Sequence, residues 1–137
     1  MENKLTSGDE VLFRQIHPNS LQDGEPGSDR FRPSEVDNNK LSTDRSSVTS
    51  PEAAHRLYTS TGKLSAAVFG LSVEEFATES ISCVVDPIKD DPVLPDNPAH
   101  ALADYSDHDA KKQKVVAKRL KSLAIKRGCL YLHPNEQ

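Results

Sequence analysis

Apolar positions along the chain come in short runs, separated by long polar stretches. The first run, VLFRQIHP (11–18), holds Val11, Leu12, Phe13 and Ile16 and stops at Pro18, which predicts a strand. From 18 to 49 the chain is rich in Ser, Asp, Asn, Gly and Pro, with Leu21, Phe31, Val36 and Leu41 as its main apolar anchors. This predicts a long polar loop region with ordered pieces at FRPS and KLSTDRSS. TSPEAAHRLYTSTG (49–62) predicts a helix: Ser50 can cap it, Pro51 suits its first position and Gly62 marks its end. KLSAAVFGLSV (63–73) reads as a buried strand. Ser72 and Glu75 then stand at capping-box spacing, which predicts a short helix in SVEEFATES.

SISCVVDPI (80–88) predicts another strand, closed by Pro87. A loop rich in Pro and Asp follows, and AHALADY (99–105) reads as strand, with helix as the rival. The segment 106–128 predicts a basic amphipathic helix. Ser106 is its expected cap, Asp107 and Asp109 favour its N-terminus, Lys126 and Arg127 its C-terminus, and Gly128 its stop. Val116, Leu120 and Leu123 form the expected buried stripe. CLYLH (129–133) predicts a last strand before Pro134. The order of elements defines an α+β class: a single small mixed or antiparallel sheet with two to three helices and a long polar loop after the first strand. At 137 residues the chain fits one domain, with 1–9 expected as a flexible N-terminus.

Charge changes this picture. The net charge of -4 hides an asymmetry: 111–127 holds eight of the 17 basic residues and none of the 21 acidic ones. A basic C-terminal helix therefore sits on an acidic body, a pattern that fits nucleic acid, an acidic protein partner or internal complementarity. The two cysteines, Cys83 and Cys129, form no C-x-x-C pair and both lie in apolar runs, which predicts free core thiols. The N-terminus carries no apolar signal region and no run is long enough to span a bilayer. These features read as a cytoplasmic protein with no membrane contact.

Candidate chemistry rests on four groups. Arg14 and His17 sit on and just past the first strand, types suited to anion binding and proton transfer. Strand alternation puts Arg14 with Ile16 on one face and Phe13 with Gln15 on the other. Arg32 and Arg45 lie among serines, including Ser42, in a pattern that can hold phosphate. His100 is flanked by small residues in NPAHA, where a ligand has room. Lys111, Lys114, Lys118 and Lys121 line one face of the last helix. The Asp86, Asp90, Asp91 and Asp96 cluster is broken by prolines and lacks EF-hand spacing, so no metal site and no cofactor are expected.

The strings RQIHP, FRPS, LSTDRSS and NPAHA resemble a family of small uncharacterised bacterial proteins. The resemblance covers most of the chain, implies a bacterial origin and a self-contained domain, and assigns no activity to any residue. The leading functional expectation is an accessory binding module of a multi-protein or operon-encoded system, acting through protein–protein contacts. Its alternatives are a small enzyme of the ADP-ribosyltransferase kind acting on a nucleotide or nucleic acid, and a nucleic-acid-binding domain using the basic helix. The enzyme reading draws on Arg14, His17, Ser42 and His100, with Tyr58 and Glu74 or Glu75 available beside them.

Overall fold

The structure, a computed structural model, describes residues 3–136. Strand β1 (Val11–Ile16) opens the fold. A 3-10 turn at Pro18–Ser20 leads into a small hairpin, β2 (Leu21–Gln22) and β3 (Glu25–Pro26), and a second 3-10 turn covers Ser28–Phe31. Then come β4 (Lys40–Arg45), α1 (Pro51–Thr59), β5 (Ala67–Ser72), α2 (Val73–Thr78), β6 (Ser82–Val85), β7 (His100–Asp104), α3 (Ala110–Arg127) and β8 (Tyr131–Leu132). Six strands form one sheet in the order β6-β7-β4-β1-β5-β8, and every pairing in it is antiparallel. The β2-β3 hairpin is a separate two-stranded sheet. The α+β class therefore holds.

The local signals act as their chemistry requires. Ser50 Oγ accepts from the Ala53 N–H at 3.1 Å and Pro51 begins α1. Ser72 and Glu75 close a reciprocal capping box on α2. Gly128, at φ +99, ends α3 in a conformation that a side chain would strain.

Strand alternation divides the sheet into two faces. One carries Leu12, Ile16, Leu41, Phe69, Leu71, Ala101 and Ala103, which pack with Phe31, Phe76, Tyr105 and the Val116, Ala117, Leu120 and Ala124 stripe of α3. On the other face a smaller cluster joins Phe13 and Val68 to Ala54 of α1, flanked by Val11, Leu130 and Tyr131. Helix α1 thus covers only part of its face, and the remainder stays open over β1, β4 and β7.

Five expectations need correction. The polar loop after β1 ends at Asn39, because 40–45 is a central strand rather than loop: Leu41 and Thr43 are buried on the α3 face, while Ser42 and Asp44 face the other way. The N-terminus is not loose over its described part. Leu5 is buried, its N–H donates to the Cys83 carbonyl at 2.8 Å, and Lys4 bridges to Val84; residues 1 and 2 lie outside the described residues. Helix α3 starts at Ala110, capped by Asp109, whose side chain accepts from the Lys112 N–H at 2.8 Å. Ser106 instead turns back on Asp104 through its own N–H. Leu123 is only partly buried, because the buried stripe runs through Ala117 and Ala124. Cys83 is a core thiol, pushed up to about 12 by burial; Cys129, by contrast, is exposed.

Candidate functional site

Strands β1 and β4 pair only at Leu12 with Arg45 and Phe13 with Asp44. Continued by that register, Gln15 would face Ser42. Instead the strands part, and their free carbonyls are taken by guanidinium groups. Arg14 Nη1 donates to the Ser42 carbonyl at 3.1 Å and its Nε to the Arg30 carbonyl at 2.6 Å. Arg30 Nη2 donates to the Gln15 carbonyl at 3.2 Å. An arginine inside an apolar strand is thus explained: it fills a gap in the sheet and satisfies backbone that the ladder leaves open. Burial, and then the like charge of Arg30, lowers the Arg14 pKa to about 10. Among the described residues neither guanidinium lies in an ion pair.

Above this gap lies a cleft of about 360 Å³, within the range of small-molecule sites. Ala54, Leu57 and Tyr58 of α1, with Lys63 beyond it, form one wall, and Asp86, Ile88, Asp91, Leu94 and Asn97 of the loop before β7 form the other. Phe13, Arg14, Gln15, Ser42, Thr43, Asp44 and His100 come from β1, β4 and β7 between them. The Lys63 ammonium stands 5.3 Å from the Tyr58 ring centroid, within cation–π range.

The polar groups of the cleft are organised. Asp44 and His100 are direct partners across β4 and β7, so their side chains share a face. Asp44 is 9% exposed, and one carboxylate oxygen accepts from Asn97 Nδ2 at 2.8 Å. Burial raises its pKa, against the hydrogen bond from Asn97 and the charge of His100. His100 Nδ1 lies 3.0 Å from both the backbone and a side-chain oxygen of Asp86. Two oxygen acceptors require that Nδ1 carry the proton, so Nε2 of the neutral ring is an acceptor. Gln15 is 5% exposed and its Oε1 accepts from Ser65 Oγ at 2.7 Å, but its Nε2 has no hydrogen-bond partner among the described residues.

Of the residues singled out in the sequence, Arg14, Ser42 and His100 meet in this cleft and His17 does not. His17 caps the following turn, its Nδ1 accepting from the Asn19 N–H at 3.1 Å. Arg45 is occupied by Glu10, at 3.2 and 3.3 Å, which also accepts from the Ser47 N–H and hydroxyl. A phosphate cradle at Arg45 and Ser47 is therefore already filled by a carboxylate. Arg32 is half-buried and lies away from the cleft. Tyr58 lines the cleft, but Glu74 and Glu75 belong to α2, and Glu75 pairs with Arg127 at 2.6 Å. The glutamate of an ADP-ribosyltransferase-like set is not brought to this place. Lys111, Lys114 and Lys118 are exposed and Lys121 is half-buried, all without ion pairs among the described residues, whereas Arg119 and Arg127 of the same helix bind Glu79 and Glu75. Among the described residues no group of three or more His, Cys, Asp or Glu is placed to hold a metal ion.

Sequence reasoning missed Asp44, Asn97, Gln15 and Lys63. The alternation of LSTD in 41–44 was the available signal for Asp44; nothing local pointed to Asn97.

Asp44→Asn should leave stability unchanged or raised near neutral pH. A carboxyl whose folded pKa is raised holds its proton more tightly folded than unfolded. Its ionisation therefore erodes stability as pH rises from 3.8 through the folded value. Denaturant midpoints of the two proteins across that range should diverge as pH rises; a clear loss of stability in the asparagine variant would give Asp44 a structural role.

Fold and site together define an α+β domain with a polar cleft on its half-covered sheet face. No family model, curated protein or solved structure matches the chain. Among the described residues no helix is long and apolar enough to cross a membrane.

Proposed function

We propose that the chain is an accessory binding module whose working site is this cleft, and that its immediate ligand is a small polar molecule. The observation that supports this reading is the convergence of Arg14, Asp44 and His100, from three adjacent strands, between two partly apolar walls. The large exposed apolar side chains, Val36, Val48, Leu64, Val93 and Val115, come from separate segments. Scattered apolar residues of that kind need no partner, so a broad protein interface has less support.

Ser42 is exposed and its side chain faces the cleft, so Ser42→Trp should fill the site without disturbing the core. Native and S42W proteins, incubated with a bacterial metabolite extract and washed, would be unfolded and the released small molecules measured by mass spectrometry. The native protein should retain a compound that S42W lacks, with equal melting temperatures. Identical retention by both would contradict the proposal.

The unpaired lysines of α3 support a second reading, contact with a phosphate backbone. It predicts retention on DNA or RNA at low salt that weakens steeply as salt rises. Glutamate at 111, 114, 118 and 121 should abolish the retention without unfolding the protein, and absence of retention by the native protein at low salt would end this reading.

A further inference from the structure

The cleft is electrically and chemically two-ended. At its β1 end lie donors that lack partners. Arg14 is held by two carbonyls, has no carboxylate partner among the described residues, and keeps Nη2 free of any hydrogen bond. Gln15, 95% buried by its 5% exposure, has Nε2 unpaired. Lys63, exposed at the rim, adds a second cation, without an ion pair among the described residues. A buried donor without a partner is costly, and a guanidinium without a counter-ion raises that cost.

Toward β4 and β7 lie acceptors. The Asp44 carboxylate uses one oxygen on Asn97, and the other has no hydrogen-bond partner among the described residues. His100 has Nδ1 held by Asp86 and keeps Nε2 free of a hydrogen bond among the described residues; in the neutral ring that nitrogen is an acceptor. Asp86 and Asp91 add negative charge to the same wall. Asp44 stands on β4, one strand spacing from β1, and His100 on β7, two spacings or roughly 10 Å from it.

A simple anion would meet repulsion at the second end, and a simple amine at the first. We infer that the cleft takes a small amino acid with a basic side chain, a guanidino or diamino acid, with its carboxylate toward Arg14 and Gln15 and its side-chain cationic nitrogen toward Asp44 and His100. This inference rests on the cleft being the working site and adds the ligand class. Both ends would then become satisfied by one molecule, and the orientation would be set by charge.

Deleting each end of the ligand tests this without altering the protein. Arginine, agmatine, which lacks the carboxylate, and norvaline, which lacks the guanidinium, would be titrated calorimetrically into the full chain. Arginine should bind, and each truncated analogue should bind about tenfold or more weakly, as expected for loss of a charge-assisted pair. D44N should lose arginine affinity while binding norvaline as the native protein does. Equal binding of arginine and either analogue would overturn the inference. So would absence of arginine and lysine binding in a protein that still retains a metabolite lost in S42W; in that case the cleft stands and only the ligand class falls. If neither titration nor S42W retention differs, both fall.

Discussion

Leu120→Ala lowers stability by about 2–5 kcal/mol, the range for emptying a filled core position. Leu120 is 0% exposed, in the cluster where α3 meets the sheet. Its neighbours there, Val116, Ala117 and Ala124, are likewise at 0% and rigidly placed on one helix, so the cavity has little means of collapse. Leu123 is on the edge of that stripe and partly buried, so Leu123→Ala costs distinctly less. Urea midpoints of the two variants measure the difference. A larger loss at Leu123 than at Leu120 would mean that α3 presents another face to the core.

Glu10→Ala has the second large effect, about 1–3 kcal/mol. The Glu10 side chain is 6% exposed and serves as the common acceptor for Arg45 and Ser47. Its removal strands those donors. The loss stays below the 3–5 kcal/mol of a fully buried pair because the Arg45 side chain keeps 24% of its surface exposed. Burial pushes the Glu10 carboxyl up, but the hydrogen bonds from Ser47 and Arg45 together hold it below the usual glutamate value. Glu75, buried yet bonded to Arg127 and Ser72, and Glu79, bonded to Arg119, are held low in the same way. A depressed folded pKa contributes stability that is complete above the unfolded value, 4.5, and is lost as pH falls through the folded values. The native protein should therefore lose stability on acidification below that value, and Glu10→Ala should flatten the loss. Parallel acid profiles for the two proteins would contradict this account.

The elements that were legible in the sequence are those whose signals are local. Pro18 closes β1, Ser50 and Pro51 start α1, and the Ser72–Glu75 pair starts α2. β4 was not legible as a central strand because only Leu41 in Lys40–Arg45 is a large apolar residue, and its polar alternates face the cleft. The pairing of the N-terminal segment with Cys83 and Val84 was hidden for a different reason: it joins residues far apart in the chain, and no local pattern reports it. The candidate site divides in the same way. Arg14, Ser42 and His100 stand out by residue type and neighbours, whereas Asp44 and Gln15 acquire meaning only from register. Asp44 matters because it faces His100, and Gln15 because β1 and β4 part beside it. His17, chosen on type alone, satisfies a turn.

The account as a whole stands on the cleft being the place where the protein binds. Amide NMR spectra recorded during a screen of small polar compounds test this most directly. The account predicts that compounds which bind shift resonances at 13–15, 42–44 and 97–100 together, with those of α1 facing them, and leave α3 unmoved. Shifts confined to 111–121, or scattered without relation to the cleft, would contradict it.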